Sequence, residues 1–230
     1  VLWIKYDFHN LKTIIKGKKV GLSDEEILAQ CFVTGTIPPE KLLKSVIDQK
    51  LGVISSHLER ARVVAEEAAH VVEIDHAMQK HYFNAIKEIA ENTKETFVKK
   101  FVRLLIDLFN IKAGLRADAI DGIEARDVYV SGGSFQSAQF ESKESILTLL
   151  DRFGGEATWK EAIDHLNETG KYNRIEKIAD DYVTVWLKDE SIAIFTPAAL
   201  FSFFYARKNN AQMISAILTA KRAGMPGKEL

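Results

Sequence analysis

The chain has 230 residues, and its 31 basic and 32 acidic side chains leave a net charge of −1. That balance argues against general nucleic-acid binding, and 47% hydrophobic content suits a globular chain with one or two cores of ordinary size. Cys31 is the single cysteine, so no disulfide framework exists within the chain; it reads as a small buried hydrophobe in a reducing compartment. The opening Val1–Asp7 has no basic lead or long apolar run of a signal peptide, and charged residues interrupt the most apolar stretches.

In chain order the first predicted element is an amphipathic helix over 4–16. Ile4, Phe8, Leu11 and Ile15 form its apolar stripe, while Lys5, His9, Lys12, Lys16 and Lys19 form a basic one. Five basic-capable side chains on one face make a local positive potential, either simply solvated or presented to an acidic partner surface. Ser23 and Glu26 spell a capping box for a short helix over Asp24–Phe32, and Pro39 suits the first turn of another. A long helical run follows Gly52, capped by Ser55 or Ser56, with a break at Glu91-Asn92-Thr93.

Phe97, Phe101, Leu105, Leu108, Ile111 and Leu115 make a second strong stripe, with Lys99, Arg103, Asp107 and Asn110 about 200° away on the opposite face. Ser142–Arg152 reads as a short helix, and Thr158 as the cap of a helix ending at Thr169-Gly170. Tyr172–Lys188 mixes alternation with helical spacing and is assigned to helix. The final helix has Thr196 as cap, Pro197 at its first position, Gly224 past its end and Pro226 as stop. With no hairpin signature between alternating runs, the fold class is all-α.

The chain copies itself. Asp7-Phe8-His9-Asn10-Leu11-Lys12 is matched by Asp107-Leu108-Phe109-Asn110-Ile111-Lys112, and more weakly by the segment around Met213-Ile214-Ser215. Leu11, Ile111 and Ile214 are offset by 100 and 103 residues. Gly35-Thr36-Ile37 with Leu42 repeats as Gly133-Ser134-Phe135 with Phe140 at the same internal spacing. These periods predict repeated helical bundle domains in a pseudo-threefold arrangement. Residues 1–50 are the second half of a truncated first repeat, 51–150 a second and 151–230 a third.

Chemistry-bearing motifs are scarce. No stretch carries the Gly-x-x-x-x-Gly-Lys-Ser/Thr spacing that wraps phosphates, so no nucleotide cofactor is expected. Glu67-x-x-His70 and Glu73-x-x-His76, with His81 beyond, imitate the ligand pairs of di-iron bundles. Placed six residues apart on one helix they point about 240° apart, so no metal site is expected without a helix break. No Gly-x-Ser-x-Gly elbow is present either. The rival readings are an unrelated all-α repeat scaffold that binds another protein and a helical-bundle metalloenzyme.

The Asp-Phe-x-Asn-Leu-Lys helix followed by Gly17-Lys18-Lys19-x-Gly21-Leu22 resembles the C subunit of archaeal and bacterial V/A-type ATPases, related to the d subunit of eukaryotic V-ATPases. So do its recurrence at Asp107–Lys112 and the stretch from Ala206 to Pro226. The resemblance implies three similar helical domains around a funnel, in a non-catalytic rotor part on the cytoplasmic, peripheral face of the membrane. Its implied partners are the central-stalk subunits and the membrane proteolipid ring, with no cofactor. Lys5, Lys12, Lys16 and Lys19 are the candidate partner-interface residues. Asn209, Asn210 and Ser215 occupy slots where that family usually has acidic and basic residues.

Overall fold

A computed structural model describes residues 1–48, 55–117, 124–192 and 196–224. Among these there is no strand. The helices are α1 (Ile4–Lys19), α2 (Asp24–Ala29), α3 (Pro39–Asp48), α4 (Ser56–Glu67), α5 (Val71–Asn92), α6 (Thr96–Ala117), α7 (Lys143–Leu149), α8 (Gly155–Thr169), α9 (Asn173–Glu190) and α10 (Ala198–Arg222). Short 3₁₀ turns lie at Ser137–Phe140 and Leu150–Phe153. The chain divides into two compact units, Val1–Asp151 and Arg152–Leu230.

The helix ends follow local chemistry. Lys16, Lys18 and Lys19 occupy the last turn of α1, where cations complement the helix dipole, and the helix ends at Lys19, inside the Lys18–Gly21 stop that Gly21 predicts. Ser23 Oγ accepts from Glu26 N at 3.3 Å while Ser23 N donates to Glu26 Oε2 at 2.9 Å, closing the capping box. The helix it opens ends at Ala29, short of Phe32. Ser55 Oγ accepts from Leu58 N and starts α4. Thr158 is not a cap: α8 begins earlier, at Gly155, and the Thr158 hydroxyl donates to Gly154 O at 2.7 Å. Ala198 N reaches Thr196 Oγ1 at 3.4 Å, and α10 starts one residue after Pro197. Pro226 and Gly52 lie outside the described residues.

The expected long helix after residue 55 is broken. Ala68 and His70 are extended, and Glu73 Oε2 accepts from Ala69 N (2.8 Å) and His70 N (3.0 Å) to begin α5. The Glu73 carboxylate thus satisfies two amides that the break leaves without helical partners.

In the first unit α1 packs on α2, α3, α4 and α5. Leu11, Ile14, Ile27, Leu42, Leu58 and Ile74 meet there, all buried. Each such side chain contributes roughly 1.5–3 kcal/mol of transfer free energy. Arg62 is buried in α4 between Glu59 and Glu66, both of which accept its guanidinium N–H groups. Cys31 is half-buried at the edge of this core. α6 packs on α5 and α7, and buries Phe101, Ile106 and Ile111.

In the second unit α9 packs against both α8 and α10. Its ambiguous alternation is resolved by Ile175, Ala179, Val183 and Leu187, which recur every four residues and are all buried. Trp159 of α8 is buried too, with Nε1 donating to Phe153 O at 2.8 Å.

Candidate partner interface and the duplicated clamp

The polar residues of the repeated stretch do not face solvent. Asp7, Asn10, Asp107 and Asn110 are all buried, so the wet face expected opposite the α6 stripe is only partly wet. They are buried because main-chain groups of the following loop satisfy them, as buried polar atoms require. Asn10 Nδ2 donates to Phe32 O and Asn10 Oδ1 accepts from Phe32 N, both at 2.8 Å. Asn110 makes the same pair with Val130, again both at 2.8 Å. A side-chain amide presents one donor and one acceptor side by side, which matches the two groups of one residue's backbone.

One turn earlier, the acids hold a second point of the same loops. Asp7 Oδ1 accepts from Thr36 N (2.8 Å) and Ile37 N (3.1 Å), and Oδ2 from Thr36 Oγ1 (2.5 Å). Asp107 Oδ1 accepts from Ser134 N at 2.6 Å. Thr36 and Ser134 are the residues paired by the sequence repeat. Beyond them, Leu42 and Phe140 occupy matching slots and are both buried. The second loop is tied further by Tyr129, whose hydroxyl donates to Phe135 O at 2.7 Å.

The third copy differs. Asn210 and Met213 stand in the slots of Asp7 and Asn10, and both are exposed. Asn209 instead donates to Thr184 Oγ1 on α9 at 2.8 Å. Leu11 and Ile111 are buried, whereas Ile214 is 58% exposed.

The basic stripe of α1 lies over α4 and α5. Lys12 and Lys16 both reach Asp75 Oδ1, at 3.4 and 2.8 Å. Lys19 Nζ donates to Glu66 O (3.0 Å) and Ala68 O (2.7 Å), closing the end of α4. Lys5 Nζ sits 4.7 Å from the centre of the Tyr6 ring. The His9 ring lies tilted against Phe32, centroids 4.8 Å apart, and burial, followed by Lys12 and Lys16, pushes its pKa down. The sequence concealed Asp75 as the counter-charge because it lies 59 residues from Lys16.

The Glu-x-x-His pairs are divided by the α4–α5 break. Glu67 ends α4, His70 precedes α5, and Glu73 holds the helix start. His57 Nε2 meets Glu88 Oε2 at 2.6 Å, while the Nδ1 atoms of His57 and His81 are buried without a hydrogen-bond partner among the described residues. Among the described residues no group of three or more His, Cys, Asp or Glu is placed to hold a metal ion. Nor is any described helix long and apolar enough to cross a membrane.

An all-α protein whose repeated motif anchors its own loops by their backbone is what the fold and the clamp define. Residues 1–230 match the family described as ATP synthase (C/AC39) subunit, and the chain belongs to that family. It is similar to the C subunit of the A-type ATP synthase of Methanocaldococcus jannaschii, at 28% identity over 78% of this chain and 50% of the relative. It is also similar to the C subunit of the A-type ATP synthase of Methanobrevibacter smithii, at 21% identity over 98% of this chain and 65% of the relative. The chain thus spans about half to two thirds of the length of these curated relatives.

Proposed function

We propose that this protein is a non-catalytic adaptor of a V/A-type ATP synthase or ATPase, seating the central stalk on the membrane proteolipid ring at the cytoplasmic face. The observation that carries this reading is the family match along the whole chain. The lack of a phosphate-wrapping motif in the sequence supports a part that transmits torque rather than hydrolyses nucleotide. A torque-bearing part needs stiffness, and the two clamps supply it by fixing loops to helices through charged and bidentate hydrogen bonds.

In this reading the three repeats are residues 1–50, 51–150 and 151–230, and Lys5, Lys12, Lys16 and Lys19 form a contact for an acidic stalk surface. Lys12 and Lys16 share the single carboxylate of Asp75, so the stripe keeps an excess of positive charge there. The test is co-purification of the chain with the central-stalk subunits and the proteolipid ring of its own complex. Recovery of both partners across a salt series is the expected result. Recovery of neither, from a chain whose circular dichroism is fully helical, would overturn the reading.

A further inference from the structure

The bend between α4 and α5 is made of residues that ordinarily continue a helix. From Ser55 to Asn92 the chain has no Gly or Pro, and the bend falls on Ala68-Ala69-His70. Alanine is the strongest helix former, so local preference and observed conformation disagree here. In an unbroken helix His70 N would donate to Glu66 O. The bend splits that bond, and each half has a stand-in. Glu73 Oε2 accepts from His70 N at 3.0 Å and from Ala69 N at 2.8 Å. Lys19 Nζ donates to Glu66 O at 3.0 Å and to Ala68 O at 2.7 Å. Two exposed charged side chains therefore hold the bend, one of them reaching in from α1.

The bend folds a large surface together. His57 Nε2 of α4 meets Glu88 Oε2 of α5 at 2.6 Å, and Leu58, Ala61 and Ala65 share a buried core with Ile74, Met78 and Ala85. On the α4 side of the bend, α1 also packs on α5, with Lys12 and Lys16 on Asp75. Straightening the bend in one copy would strip these contacts and open the core to water. Straightening it in two copies at once would remake the same contacts across the pair, and only the bend would change. A short connection whose own residues favour the straight form invites that exchange.

We infer that residues 68–70 are a hinge through which two copies of this chain exchange α1–α4, each set packing on α5 of the other copy. In the exchanged form α4 and α5 run as one helix from Ser56 to Asn92, roughly 55 Å long at about 1.5 Å per residue. Lys19 and Glu73 are the latch of the closed form, because an unbroken helix satisfies the same amides and carbonyls by itself. The inference rests on the bend and its two stand-ins and is independent of the rotor role.

The test uses the whole chain with Cys31→Ser, Ser56→Cys and Ile89→Cys, exposed positions on either side of the His57–Glu88 contact. A bismaleimide joins these cysteines within one chain in the closed form and between chains in the exchanged form, so a denaturing gel reads the exchange. Adding Lys19→Met with Glu73→Ala is expected to raise the covalent dimer at least tenfold over the parent at equal concentration. Adding Ala69→Pro to that variant is expected to abolish the rise. Proline lacks the N–H of an unbroken helix, while the extended Ala68 suits the residue before it. The parent, refolded from urea, is expected to give covalent dimer that rises with chain concentration, whatever the latch variant does. Circular dichroism will check that each variant remains helical. No rise with the latch variant, cross-links confined within chains in its dimer, or indifference to Ala69→Pro overturns the inference. So does a refolded parent that gives no covalent dimer at any concentration.

Discussion

Gly133 and Asp107 occupy space that only one side chain can fill: a Cβ built on Gly133 falls 2.1 Å from Asp107 Oδ1. Gly35 stands in the same relation to Asp7, at 2.6 Å. Each glycine immediately precedes the residue whose amide the carboxylate receives. Closeness of loop to helix, rather than turn geometry, is what excludes a side chain there.

Gly133→Ala will therefore destabilise the first unit by about 1–3 kcal/mol, the usual range for overpacking. Asp107→Ala removes both the clash and the hydrogen bond, so the double variant will be more stable than the sum of the two losses predicts. Urea denaturation of the four-member cycle checks this. Strict additivity would show that the contact is relaxed at no cost.

Asn110→Ala leaves both Val130 backbone groups without their partner, in a buried position. Unmet buried groups cost about 1–3 kcal/mol each, so a loss of about 2–6 kcal/mol is expected. Asn10→Ala will cost less, because the Phe32 bonds are only partly buried and water can replace them. Equal thermal shifts for the two variants would contradict this ordering.

The stripe on α1 predicts a charge-swap result. Lys16→Glu sets a carboxylate against Asp75 and will lower stability within about 1 kcal/mol, as befits a partly exposed pair. Adding Asp75→Lys will restore part of it, since Lys12 then loses its carboxylate and faces a like charge. This pair of variants separates the fold's use of the stripe from any use by a partner, since a partner's binding will not be restored by the swap.

His81 gives a pH dependence. Burial, followed by the charges of His57, Arg60 and Lys80, lowers its pKa below the ordinary 6.5, and His76 is lowered by burial and Lys80. The unfolded chain then takes up protons before the folded one does. Stability is full above the unfolded value and is lost as pH falls from about 6.5 through the lower folded value. The melting temperature of the wild type will fall from pH 7 to pH 5, and that of His81→Gln will fall less. Parallel profiles would remove His81 from the explanation.

The sequence made half of the clamp legible. Asp7, Asn10, Asp107 and Asn110, with Gly35 and Gly133, stand out because repetition exposes them. Their partners at Phe32 and Val130 do not, because a backbone N–H and C=O carry no residue signature. Burial of Asp107 was hidden for the same reason: helical periodicity assigns polar residues to solvent unless a main-chain partner is known. Capping was readable at Ser23 and Glu26, where both halves are side chains three residues apart. It misled at Thr158, since a hydroxyl can as readily donate back to a carbonyl four residues earlier. Long-range pairing such as Lys16 with Asp75 leaves no trace in periodicity at all.

The two asparagine clamps close over separations of 22 and 20 residues, yet each ends in the same pair of bonds. An anchor that reads only the peptide group is indifferent to the side chain it holds and to the number of residues that lead to it. The clamp itself therefore constrains neither the spelling of the residue it holds nor the length of the segment that leads to it. That freedom stops at α2, inside the first of these stretches, because Ile27 is buried in the core beside α1.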